Sequence, residues 1–242
     1  FISHGGGPWP WIPKMRDVLA SLEASLARMP EEIGTTPRAI LMISGHWESP
    51  EFAVMSGKSP GMVYDYSGFP PETYQITYNS PGAPEIAQRA ANLIAAAGLP
   101  TRLDPAQGYD HGTFVPAFVM YPRADVPLFQ ISLQQGYDPA AHFALGRALA
   151  PLRDEGVLIV GSGLSYHNLR LFGPGAKIPS AAFDHWLADT LAKPAPDRTQ
   201  SLLNWDSAPY ARTCHAQEDH FVPLFAALGA AESERATLVY HD

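Results

Sequence analysis

Short apolar runs bounded by turn residues recur along the chain, at RAILMIS (38–44), PLFQISL (127–133), GVLIVGS (156–162) and ATLVY (236–240). Their length and β-branched content predict buried strands. Phe1, Ile2 and Ser3 read as the end of one more strand, apparently truncated at the N-terminus, because Gly5, Gly6 and Gly7 then stop it. Between these runs the period changes. KMRDVLASLEASLARM places Met15, Val18, Leu19, Leu22 and Leu26 on one helical face, and PEIAQRAANLIAAAGL begins with proline and ends at glycine, as helices tend to. DPAAHFALGRALAPLRDEG and SAAFDHWLADTLAK repeat the helical pattern. Strands alternating with helices predict an α/β fold, a single domain over 1–242 with a central, mostly parallel or mixed sheet flanked by helices.

Composition narrows the function by exclusion. Hydrophobic residues make up 46% and charged ones 17%, which argues against disorder. The formal charge of −8, with no Lys/Arg cluster, argues against a nucleic-acid partner. No apolar run is long enough for a membrane span, so no membrane partner is expected. A single cysteine, Cys214, excludes an internal disulfide framework and suits a reducing compartment, so the cytoplasm is the expected location. The 24 prolines and 20 glycines fall between the periodic segments, marking loops where sites form.

The candidate chemistry lies in the nine histidines. His4, His46 and His167 each stand just past the end of an expected strand. If those strands are parallel neighbours, their ends share one rim, and the imidazoles can meet within metal-ligand distance. His111 lies in a glycine-bounded loop and His220 begins a helical run, while His215 and Glu218, three apart, would share a helical face. The residues alone leave these last positions open between site and structural roles. His142 and His185 sit within helical stretches and His241 near the terminus, where a structural or solvent role is expected. GSGLS departs from the nucleophile elbow, SHGGGP lacks the elbow that an esterase oxyanion loop accompanies, and neither glycine cluster is a phosphate loop. Cys214 has no partner that would activate it and is expected to be a buried, inert thiol.

Six segments then occur in a telling order: SHGGGP, SGHWE, YDYSGFPPETYQITY, DHGTFVPAFVMYPRADVPLFQISL, GVLIVGSGLSYHNLR and HAQEDHFVPL. In this order and over nearly the whole chain, the sequence resembles the 4,5-DOPA extradiol dioxygenase-like family of class III extradiol ring-cleavage dioxygenases. The resemblance implies a single α/β domain, a small aromatic diol of the catechol type and O2 as substrates, and Fe(II) as catalytic metal, with Zn(II) also found in this branch. It implies that His4, His46 and His220 ligate the metal. His167 would lie at the metal as a ligand or an acid/base group, and His111 near substrate and oxygen. One segment departs from the family, which commonly has Pro-Thr-Pro-Glu before the last histidine: here Ala216, Gln217, Glu218 and Asp219 occupy those places.

Ring cleavage beside a diol needs a metal with open positions for the two diol oxygens and O2, and a few nitrogen ligands leave such positions. Removing the second hydroxyl proton needs a base near neutral pH, assigned to His167. His111 is assigned to stabilise negative charge developing on oxygen. Tyr64, Tyr66 and Phe69 could wall a planar substrate. The rival expectations are a zinc-dependent hydrolase and a catalytically silent metal-binding protein on the same fold.

Overall fold

Four parallel strands form the central sheet of the computed structural model, which describes residues 1–241. They are β1 (Ile2–Ser3), β2 (Ala39–Ser44), β6 (Leu128–Gln130) and β8 (Val157–Gly163), in the order β1-β8-β2-β6. Two parallel pairs lie beside it: β3 (Glu48–Ser49) with β7 (Leu133–Gln134), and β4 (Phe52–Met55) with β5 (Thr101–Asp104). Register sets the ends of the central strands. Ile2 and Ser44 both face Ser162, and Ser3 faces Gly163, so β1, β2 and β8 end on one rim. Every residue of β2 is buried, which is why it reads as an unbroken apolar run.

The helices are α1 (Pro13–Val18), α2 (Ala20–Ile33), α3 (Pro84–Ala96), α4 (His111–Met120), α5 (Pro139–Leu149), α6 (Pro151–Asp154), α7 (Lys177–Leu191), α8 (Ala195–Leu203), α9 (Ala211–Cys214) and α10 (Pro223–Ala230). Successive residues of a strand face opposite sides. A side chain on Gly161 would strike the carbonyl of Pro223, whereas Ser162 bonds the carbonyl of Gly112. So α10 and α4 cover opposite faces of the sheet. Close packing of α10 on α5 uses two further glycines: a Cβ on Gly146 would lie 2.1 Å from Ala226 O, and one on Gly229 would lie 2.4 Å from Phe143 O. Beside this crossing Phe143 and Phe225 stack with centroids 5.4 Å apart.

Several expected elements differ. The helix expected from Lys14 to Met29 breaks at Leu19 into α1 and α2; Leu22 and Leu26 are buried, but Val18 is 77% exposed. The change of axis turns Val18 off the apolar stripe that a straight helix would have given it. Pro151 likewise divides the 138–156 helix into α5 and α6, since it has no N–H to continue the ladder. The 127–133 strand is interrupted at Ile131, which bridges Val54 of β4. ATLVY forms no strand: Leu238 is 75% exposed, and no neighbouring strand completes a ladder with it. Apolar residues without a partner edge do not make a strand. Among the described residues, no helix is long and apolar enough to cross a membrane.

Candidate metal centre

The rim shared by β1, β2 and β8 gathers His4, His46, His111, His167 and His220. His4 follows β1 into a turn that needs Gly5 and Gly7, whose φ angles of 73° and 52° favour glycine. That turn brings Trp9 back to donate its indole N–H to the His4 carbonyl at 2.9 Å. His46 follows β2, with its backbone N–H donated to Ser44 Oγ at 3.1 Å. His220 precedes α10, and its carbonyl accepts from Leu164 N–H at 2.9 Å, just past β8.

Each of these three rings faces an oxygen at Nδ1. His4 Nδ1 is 3.0 Å from Ser162 Oγ, whose own hydroxyl is donated to Gly112 O, so the serine accepts from the ring. His46 Nδ1 is 3.2 Å from Asp65 Oδ2. His220 Nδ1 lies 2.9 Å from Asp219 Oδ2, off the line of an ideal hydrogen bond. Protons held at Nδ1 leave lone pairs at Nε2, and the Nε2 atoms converge: 3.2 Å between His4 and His46, 3.1 Å between His46 and His220. Converging lone pairs repel one another unless a cation lies among them, so the donor set fits a divalent metal. Burial, then the neighbouring imidazoles, lower the pKa values of His4 and His46 well below the ordinary range and keep both rings neutral, the form that ligates.

His111 and His167 stand beside this trio. His111 begins α4; its backbone N–H and its Nδ1 lie 3.0 and 2.9 Å from Asp65 Oδ1. Its ring centroid is 3.9 Å from that of His46. Gly112 permits this approach, because a Cβ there would lie 2.4 Å from Ser44 Oγ and 2.8 Å from His46 Cδ2. Underneath, Ser44 Oγ and Gln130 Nε2 donate to the buried Asp110 at 2.8 and 2.6 Å. Burial, then Asp65, raises that carboxyl to about 6 against the pull of both donors. His167 stacks on His220, and burial followed by His220 lowers it to about 4 while Asp219 opposes the shift.

The loop of His167 is latched to the segment around α9. His167 N–H donates to Cys214 O at 3.0 Å, Asn168 Nδ2 to Thr213 O at 2.7 Å, and His215 Nε2 to Ser165 O at 3.0 Å. His215 is itself buried against Phe183, Trp205 and Phe221, and Glu218 pairs with Arg212 at 2.6 Å. The helix that would have put His215 and Glu218 on one face is absent, since α9 ends at Cys214 and α10 begins at Pro223.

Among the remaining histidines, His142 is buried in α5, His185 is exposed beside Asp189, and His241 pairs with Asp184 at 2.9 Å. Cys214 is buried with its thiol on Pro179 O, and burial pushes it up to about 11, which makes it a poor nucleophile. Of the aromatic segment, Tyr66 stands edge-on to His111 at 5.8 Å, and Phe69 packs across Gly7. The hydroxyls of Tyr64 and Tyr66 are donated to the carbonyls of Ile76 and Thr73 at 2.7 and 2.6 Å, so both present rings to their surroundings.

Asp65, between Tyr64 and Tyr66, and Ser162, inside GSGLS, belong to this centre although the local sequence does not mark them for it. The available signal is position: Ser162 is the last residue of the expected strand 156–162, and the fold sets it in register with Ser44.

Residues 12–242 match the family profile of the catalytic LigB subunit of aromatic ring-opening dioxygenase. A 4,5-DOPA dioxygenase extradiol of Beta vulgaris is 38% identical over 247 residues, covering 100% of this chain and 90% of the relative. A dioxygenase of Hapsidospora irregularis is 37% identical over 262 residues, covering 100% of this chain and 80% of that protein. The crystal structure of an uncharacterised Escherichia coli K12 protein superposes with a TM-score of 0.69 at 31% identity, over 84% of this chain and 81% of that one.

Proposed function

The chain belongs to the aromatic ring-opening dioxygenase family of the catalytic LigB subunit, and from that membership we propose that it is a metal-dependent extradiol dioxygenase acting on a catechol-type diol with O2. One observation carries the metal dependence: three imidazoles whose Nδ1 atoms each face an oxygen turn converging Nε2 atoms toward one point. His4, His46 and His220 are the proposed ligands, of Fe(II) for catalysis and of Zn(II) where iron is replaced; three nitrogen donors suit both ions. When bound, Fe(II) would supply Lewis acidity toward the diol oxygens and electron density toward O2, whereas Zn(II) would supply Lewis acidity alone.

The chain's other residues then have separable tasks. His167, neutral beside His220, accepts the second hydroxyl proton of the diol. His111, whose Nδ1 proton is held by Asp65, has Nε2 on the far side of its ring, where in the imidazolium form it donates to oxygen as negative charge develops there. Tyr66 and Phe69 offer flat apolar surface beside His111 that suits a planar ring and excludes water. The buried, unpaired Cys214 suits the reducing cytoplasm expected for the protein.

The deciding assay reconstitutes the protein anaerobically with Fe(II), adds catechol or DOPA, and then admits O2. A yellow ring-opened semialdehyde, formed with one O2 consumed per ring, is expected. Turnover that needs no O2 would indicate a hydrolase, and metal binding with no turnover of any diol would indicate a silent binding protein. Both rivals lack support among the relatives described, whose names are those of dioxygenases.

A further inference from the structure

Asp65 belongs to no expected site, yet its carboxylate touches two of the five rim histidines. It lies on the loop after β4, and its side chain is 17% exposed. Oδ2 faces His46 Nδ1 at 3.2 Å; Oδ1 receives the His111 backbone N–H at 3.0 Å and faces His111 Nδ1 at 2.9 Å. His46 follows β2 and His111 begins α4, so one carboxylate joins three chain segments. The loop is held in place for this. Val63 N–H donates to Tyr109 O and Tyr109 N–H to Gly61 O, both at 2.8 Å, which ties the strand of chain before Asp65 to the residues before His111. The Tyr64 and Tyr66 hydroxyls anchor either side of it.

We infer that Asp65 is a positioning residue that sets the tautomers of His46 and His111 together, keeping both protons at Nδ1 and both Nε2 atoms free for the centre. A carboxylate accepts at both oxygens, whereas an amide accepts at one end and donates at the other. In Asp65→Asn the amide oxygen stays at the Oδ1 place, where two donors meet it. The amide nitrogen then faces His46 Nδ1 and can only donate to it. His46 must move its proton to Nε2, the atom with which it would bind metal, while His111 keeps its form. A carboxylate behind a ligating imidazole also fixes the ring's orientation and raises its basicity, and loss of such a partner typically costs ~10–100-fold in metal affinity.

The inference rests on the metal-centre reading, and the experiment separates the two. Long-range proton–nitrogen NMR on metal-free protein at pH 8 reads each histidine's tautomer, and chelator competition reads Zn(II) affinity. In the wild type His46 and His111 should both be Nδ1–H forms. In Asp65→Asn, His46 should be the Nε2–H form, with Zn(II) binding weakened ~10–100-fold. A wild-type Nε2–H tautomer at either ring overturns the inference and requires no variant to fold. So does Asp65→Asn with His46 unchanged and Zn(II) affinity within about two-fold of wild type, far less than outer-partner loss costs. If the wild type binds no Zn(II), the metal-centre reading fails, and the tautomers still decide the role of Asp65.

Discussion

The imidazole of His167 lies flat on that of His220, with ring centroids 3.4 Å apart and planes 18° apart. The second ring is turned by Asp219, whose carboxylate reaches His220 Nδ1 at 2.9 Å and His167 Nδ1 at 3.9 Å. His220 sends its Nε2 to the converging trio, while His167 stands behind it as a neutral ring close to the same point. One carboxylate therefore stands beside both rings.

If His167 takes the second hydroxyl proton, His167→Gln should lose turnover most with diols whose hydroxyls are least acidic, and an electron-poor catechol should recover part of the loss. His111→Gln should still bind the diol in its deprotonated form but slow the oxygen-dependent step, by a few kcal/mol of transition-state stabilisation, roughly 10²–10³-fold. Anaerobic spectra of each variant with catechol, followed by admission of O2, check both. Deprotonation blocked in His111→Gln but intact in His167→Gln would reverse the assignment. Loss of metal from His167→Gln would make His167 a ligand.

His46→Ala and His220→Ala should each lose metal by more than the ~10–100-fold that removal of an outer partner costs. His185→Ala, exposed on α7 beside Asp189, should bind as the wild type does. Metal analysis after gel filtration against a weak chelator reads this. Stoichiometric metal in either of the first two variants removes that residue from the ligand set.

Which parts of this were legible in the sequence follows from burial. β2 and β8 declare themselves because they run through the middle of a parallel sheet, and their ends, with that of β1, put His4, His46 and His167 on a common rim. β5, whose residues Thr101, Arg102, Leu103 and Asp104 are all at least partly exposed, carries no such pattern in the sequence. ATLVY shows the converse, an apolar run with no edge to join. His220 came from the resemblance, because it follows an irregular turn and no strand. Asp65 is beyond any local pattern: its partners at His46 and His111 lie 19 and 46 residues away and meet it only through the fold.

The α5–α10 crossing should be intolerant of a single methyl. In Gly146→Ala the new Cβ meets Ala226 O at 2.1 Å and Ala230 N at 2.8 Å, both backbone atoms that cannot swing aside. Overpacking of this kind costs ~1–3 kcal/mol. A urea titration should show a lowered midpoint with an unchanged slope. At Gly175, where the nearest contact is the end of the Leu171 side chain at 3.2 Å, alanine should cost much less. Equal midpoints for Gly146→Ala and wild type would mean that the helices slide apart without strain.

The pH dependence of stability should carry the mark of His142. Its ring is fully buried in α5; Nδ1 donates to Asp138 O at 2.8 Å, and Nε2 accepts the backbone N–H of Gln134 at 3.2 Å. Only the neutral ring can accept that bond. Burial lowers the folded-state pKa from 6.5 to about 4, with the Asp138 carbonyl and charge opposing the shift. As the pH falls, the unfolded chain takes up this proton first and the folded chain resists, so the unfolded state gains. The contribution of His142 is therefore complete above pH 6.5 and is lost progressively down to about 4, a total on the order of 3 kcal/mol for a shift of this size. His142→Gln removes the titration while leaving an amide to bond the backbone. Between pH 8 and 5 the unfolding free energy of the wild type should fall by about 2 kcal/mol more than that of the variant. Other histidines titrate in both proteins, so only the difference between the two curves counts. Curves that run parallel over this range would show that His142 takes its proton in the folded protein as readily as in the unfolded chain.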